Sequence, residues 1–191
     1  MSGNSFPIIN LLQNARDGVS KSITVIDHNH HETHDGDGFY VEGNTTMSDT
    51  QEFFAKLVSP NTAAEMHLTW VIESNGILET GFWEEAKGGM AGGSTVTPIN
   101  HNRNSTKASL ATFVGGVTSS TAVGTRLANW KVGGTVFKGN VGGAAGRRNE
   151  LVLKPNTTYL RRFASGSTGN TVSFRADWYE HTPATGLKVA D

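Results

Sequence analysis

Residues 28–39, HNHHETHDGDGF, gather four of the chain's seven histidines beside Glu32, Asp35 and Asp37. Imidazole and carboxylate are the ligand types of zinc and non-haem iron sites. Drawn as an extended chain, the segment puts His30, Glu32 and His34 on one side and His31, Thr33 and Asp35 on the other. The first set has the composition of a metal site but not its spacing. Alternate strand positions lie roughly 6–7 Å apart, whereas zinc holds its donors at about 2.0–2.2 Å. A distant further ligand would be needed. His67, His101 and His181 are available, and no pattern ties any of them to the segment. The preferred reading is a polar strand or loop whose imidazoles bond backbone and carboxylates, with no metal and no other cofactor.

Other chemistries find less support. DGDGF lacks the ligand order of a calcium loop and reads as a turn in which Asp35 and Asp37 bond local backbone. GGAAGR is followed by no Lys-Ser/Thr, so it is not a phosphate loop. No G-x-S-x-G elbow occurs, and the absence of cysteine removes thiol nucleophiles, disulfides and Cys-ligated zinc. Glu84-Glu85 reads as a charged strand edge. No catalytic residue is assigned, and no enzyme is expected. Contact with a partner is assigned to Trp83 and Trp130, which lie off the apolar faces, and to His31 and Arg103. Trp70 and Trp178 read as core. The run INHNRNSTKAS is either an exposed loop or a network of side-chain-to-backbone bonds that stitches a corner of the fold.

These groups must be positioned by strands. The 191 residues carry 23 glycines and 16 Lys and Arg against 17 Asp and Glu. The near-neutral balance argues against a nucleic-acid partner. No apolar run approaches the ~18 residues of a membrane span, and the first residues lack the basic and apolar regions of a secretory signal. In AEMHLTWVIESNGILETGFWEE, Met66, Leu68, Trp70 and Ile72 share one face, and Ser74-Asn75-Gly76 predicts a hairpin turn. Near the end, Tyr159, Arg161 and Phe163 alternate, and so do Val172, Phe174, Ala176 and Trp178. SDTQEFFAKLV reads as strand, and Ser22–Ile26 as a first short one. The doublets Arg147-Arg148 and Arg161-Arg162 read as solvated or salt-bridged. The whole predicts an all-β antiparallel sandwich or jelly roll of eight to ten strands. An N-terminal arm occupies 1–36, the sandwich 37–182 and a polar tail 183–191.

Three segments, in this order, carry a family resemblance: HHETHDGDGF, NHNRNS, and LVLKPNTTYLRRFAS with GNTVSFRADWYEH. They resemble a group of tailed-bacteriophage structural proteins in which a His-His-Glu-x-His element leads into the sandwich. In that group an Asn-x-Asn-Arg-Asn-Ser element lies midway and an Asp-Trp-Tyr-Glu strand closes the fold. The resemblance covers about residues 28–180. It implies a virion protein that decorates or cements the head by binding the outer surface of the major capsid protein, assembled in the host cytoplasm. It implies no catalytic residues. The glycine-rich 88–93 and 133–146 segments look like local elaborations. The arm and common head symmetry together suggest a homotrimer. The alternative is a head-fibre or tail protein that binds a host-surface glycan through exposed tryptophans.

Overall fold

Alternation of apolar and polar residues produces two antiparallel sheets laid face to face in the computed structural model, which describes residues 28–87, 90–118, 123–133, 141–143 and 150–182. The arm up to residue 27, the strand expected at 22–26, the Arg147-Arg148 doublet and the tail from 183 lie outside the described residues. Among the described residues, helix α1 (His28–Asp35) precedes β1 (Gly38–Met47), β2 (Glu52–Val58), β3 (Glu65–Ser74) and β4 (Leu78–Lys87). Then follow β5 (Ala91–Val96), β6 (Ile99–Asn100), β7 (Thr112–Thr118), β8 (Val123–Val132), β9 (Val141–Gly143) and β10 (Leu151–Leu153). The last two are β11 (Thr158–Ser165) and β12 (Asn170–His181).

The first sheet runs β10-β3-β12-β1-β6, with β9 also on β3. The second runs β5-β7-β2-β11-β4-β8. Without β5 to β7 and β9, the two sheets reduce to β1-β12-β3-β10 facing β2-β11-β4-β8. That is the strand order of a jelly roll. The β5–β7 stretch is an insertion: β5 and β7 lengthen the second sheet beyond β2, and β6 lengthens the first beyond β1.

The inner faces are the ones that the alternation marks. Met66, Leu68, Trp70 and Ile72 from β3 meet Val172, Ala176 and Trp178 from β12, all buried, and oppose Phe82, Tyr159 and Phe163 from the second sheet. Phe53 stacks on Phe163 at 4.4 Å between centroids, and Phe82 on Tyr159 at 5.6 Å. Full burial of each such side chain contributes roughly 1.5–3 kcal/mol.

The expected hairpin across Asn75-Gly76 is not one. β3 pairs with β12, while β4 pairs with β11 and β8 in the other sheet. The turn is a crossing between layers, held by the buried Asn170. Its Oδ1 accepts from Gly76 N (2.9 Å) and Ser74 Oγ (2.6 Å), and its Nδ2 donates to Ile77 O (2.9 Å). A side chain at Gly76 would meet the Asn170 amide at 3.0 Å, so the glycine serves close approach. β4 is likewise no edge, and Glu84 is held by Lys154 Nζ (2.6 Å) and the Tyr159 hydroxyl (3.2 Å). The arginine doublet divides. Arg162 pairs with Glu52 and Glu79, as a salt-bridged strand position does, but Arg161 points into the core and is 1% exposed.

Candidate functional site: a polar corner on the first sheet

The histidine segment is a helix, not a strand. Its end explains why. Gly36 takes φ +80°, Asp37 N donates to Glu32 O (2.9 Å) and Gly36 N to Thr33 O (3.2 Å). This pair of bonds is the Schellman stop, which favours glycine at the left-handed position. A Cβ on Gly36 would also meet Ser105 Oγ at 2.3 Å. Helical spacing puts His30 and His34 one turn apart, with Nε2 atoms at 3.0 Å on an exposed face, and turns Glu32 inward to 6% exposure. The strand-based grouping of His30, Glu32 and His34 is therefore dissolved. His31 faces solvent near Asp35 (3.4 Å). Contrary to the expectation that it bonds local backbone, the Asp37 side chain makes no such bond among the described residues. Its carboxylate holds Lys107 Nζ at 2.8 and 2.9 Å. Residues 28–35 are thus not an extended arm but a helix packed on β1 and β12.

The INHNRNSTKAS run is the network that fastens this helix. Asn102 Nδ2 donates to His34 O (2.8 Å), and Asn100 Nδ2 donates to Gly36 O (2.8 Å) and Lys107 O (3.1 Å). Two carbonyls at the helix C-terminal end thereby gain donors. His101 N donates to Gly38 O (2.9 Å), and Arg103 is exposed in the same loop. The closing strand completes the corner. Gly38 is in register with Tyr179, Glu180 N donates to Asp37 O (2.9 Å), and His101 Nε2 lies 3.1 Å from Asp177 Oδ1.

Outward-facing positions of β3 and β12 carry the polar groups of the corner. A shallow cleft of about 210 Å³ lies there between α1, the His101 loop and the sheet, lined by Thr33, His67, Thr69, Glu150, Asp177 and Tyr179 among others. His67 stacks on Tyr179 at 4.4 Å, with its Nδ1 2.6 Å from Glu150 Oε1. The Tyr179 hydroxyl donates to the same oxygen at 2.6 Å. Burial and the neighbouring Glu150 carboxylate both push the Tyr179 phenol pKa up. Farther along the face, Arg175 Nε donates to both Asp177 oxygens (2.9 and 3.0 Å), and its guanidinium lies 4.0 Å from the centre of the Tyr40 ring. At the strand ends, donor atoms of Glu65, His67 and His181 lie within 4.8 Å of one another. Sequence reasoning missed this group. Glu65 and His67 share a face by alternation, but nothing local announces that β12 brings His181 beside them.

The two tryptophans assigned to partner contact have structural neighbours. The Trp83 ring covers Gly81, where a Cβ would lie 2.2 Å from it. Trp130, 40% exposed, stands 4.1 Å over the Arg161 guanidinium.

Fold and site together define an all-β sandwich of jelly-roll order with a helix-capped, His- and carboxylate-rich corner on the outer face of one sheet. Comparison with protein-family models, with curated proteins and with solved structures returns no match to this chain.

Proposed function

We propose that the chain is a bacteriophage virion structural protein that decorates or cements the head by binding the outer surface of the major capsid protein. One observation carries the reading. The helix, the Asn-rich loop and the closing strand of the segments behind the resemblance, up to about 140 residues apart, meet in a single corner and hold one another. Asn100 and Asn102 bond the end of the His-His-Glu-x-His helix, and His101 faces Asp177 of the Asp-Trp-Tyr-Glu strand. Motifs that build one another's backbone geometry define a fold together, so their joint presence weighs more than three short matches. A sandwich whose described strands are locked in ladders also suits a rigid part repeated over a shell.

The glycan-binding alternative draws less support. It asks for open aromatic faces, whereas Trp130 spends one face on Arg161 and Trp83 lies against Gly81. Self-association as a homotrimer belongs to the same proposal, and light scattering that reports a strict monomer both free and with shells would contradict it.

The test is co-sedimentation of the purified chain with shells of the parent phage that lack it. Saturable binding at a fixed ratio to the major capsid protein, with raised heat resistance of the shells, is expected. Failure to bind shells, with retention on a glycan array that Trp130→Ala abolishes, would move the protein to host attachment.

A further inference from the structure

We propose that Glu65, His67 and His181 form a binding site for a divalent transition metal, of the zinc type, on the outer face of the first sheet. The inference is independent of the virion reading.

Register creates the site. His181 is the ladder partner of Glu65, and Tyr179 of His67, so three outward-facing side chains from two paired strands converge at the strand ends. Their donor atoms already lie within 4.8 Å of one another. Donors held at about 2.0–2.2 Å from a shared ion stand roughly 3–3.5 Å apart, a gap that small side-chain rotations close. The His67 and His181 rings are 5.0 Å apart, and Glu65 Oε2 is 3.9 Å from His67 Nε2.

The orientation of His67 is the stronger sign. A carboxylate only accepts hydrogen bonds, and the Tyr179 hydroxyl, 2.9 Å from His67 Nδ1, donates to that carboxylate as well, so the 2.6 Å contact with Glu150 places the proton of the neutral ring on Nδ1. The lone pair is left on Nε2, the atom aimed at Glu65 and His181. That nitrogen is buried and has no hydrogen-bond partner among the described residues. A buried acceptor without a donor is costly, and a metal ion is the electron-pair acceptor that such an atom fits. The carboxylate–imidazole–metal relay is the usual way in which a second carboxylate fixes a ligating histidine, and Glu150 stands in that place. Tyr179, stacked on the ring and bonded to the same carboxylate oxygen, fixes the plane.

Ligand type selects the ion. Two imidazoles and one carboxylate suit zinc or iron(II) and disfavour calcium and magnesium, which take oxygen shells. Glu65 is exposed, so the remaining coordination positions face solvent. The competing locus is the exposed His30–His34 pair, whose Nε2 atoms bond each other at 3.0 Å.

The experiment uses the full chain with any affinity tag removed, stripped with chelator and titrated with zinc chloride by calorimetry, and with cobalt(II) for its visible spectrum. Expected are one zinc per chain, a rise in thermal midpoint with zinc, and a four-coordinate cobalt spectrum. Glu65→Gln and His181→Gln should each weaken binding at least tenfold, and Glu150→Gln by about 10–100-fold, with circular dichroism unchanged. The double variant His30→Gln/His34→Gln should bind as the parent does. If Glu65→Gln fails to fold, His181→Gln alone decides. No saturable binding below millimolar zinc would overturn the proposal. So would binding that survives His181→Gln and disappears in the helix double variant.

Discussion

Glu180 on β12 and Arg161 on β11 both point into the sandwich and both are almost wholly buried, yet their surroundings are opposite. Glu180 accepts from Ser109 Oγ (2.6 Å), Leu110 N (2.8 Å), Trp178 Nε1 (2.9 Å) and Ala111 N (3.2 Å). The carboxylate thereby ties the 109–111 loop to the closing strand. The Arg161 guanidinium, by contrast, makes no hydrogen bond with any of its three nitrogens among the described residues. It lies instead between the rings of Trp130 (4.1 Å), Trp70 (5.3 Å) and Phe82 (5.7 Å). Burial lowers its pKa to about 9, which leaves it charged at neutral pH. Aromatic faces offset part of the desolvation of such a cation, about 0.5–2 kcal/mol per good contact, but they do not replace hydrogen bonds. The corner end of the molecule is therefore held by directed bonds. The middle of the core is held by packing around a charge that packing alone would not choose.

The largest effect should come from the well-bonded group. Glu180→Ala strands the Trp178 indole N–H and the Leu110 N–H, while Ala111 N keeps Ser109 Oγ at 3.1 Å, and at about 1–3 kcal/mol per orphaned buried donor urea unfolding should show a loss of about 2 kcal/mol or more. A loss below about 1 kcal/mol would mean that water takes over these donors. Arg161→Met should act in the opposite direction, raising stability by about 1–3 kcal/mol, because an unpaired buried charge gives way to an apolar chain of similar length. Destabilisation would show that the guanidinium holds a bound anion or water, and it would erase the contrast with Glu180.

A smaller effect belongs to Tyr159, fully buried beneath Glu84. Burial raises its phenol pKa from 10.0 to about 12. The folded chain then keeps a proton that the unfolded chain has released, so stability present below pH 10 falls as pH rises from 10 through about 12. Tyr159→Phe should flatten that alkaline fall. Its cost at neutral pH should be about 1–3 kcal/mol, because the hydroxyl also accepts from Lys154 N (2.8 Å) and the phenyl leaves that donor without it. An unchanged alkaline slope would mean that other groups set it, with Tyr179, whose pKa is also raised, the first to examine.

Faces were readable in the sequence and partners were not. Alternation placed Met66 to Ile72 and Val172 to Trp178 on inner faces correctly, because period two follows from the strand itself. It also puts Arg161 on the same face as Tyr159 and Phe163, although the doublet with Arg162 reads as solvated or salt-bridged. Asn75-Gly76 signalled a reversal of the chain but not its pairing, which depends on Asn170, almost a hundred residues later. The helix at 28–35 was missed because eight polar residues carry no apolar stripe. The usable signals were Gly36 as a left-handed stop and the i,i+4 spacing of His30 and His34. The site at Glu65, His67 and His181 rests on the β3–β12 ladder, and no local pattern encodes that neighbourhood.

The most direct measurement of the functional claim is a cryo-electron microscopy reconstruction of the parent virion beside particles that lack this chain. The account predicts difference density of sandwich size at repeated, symmetry-related positions on the outer surface of the head, against the major capsid protein. Density confined to the tail, or a head unchanged by loss of the chain, would contradict it.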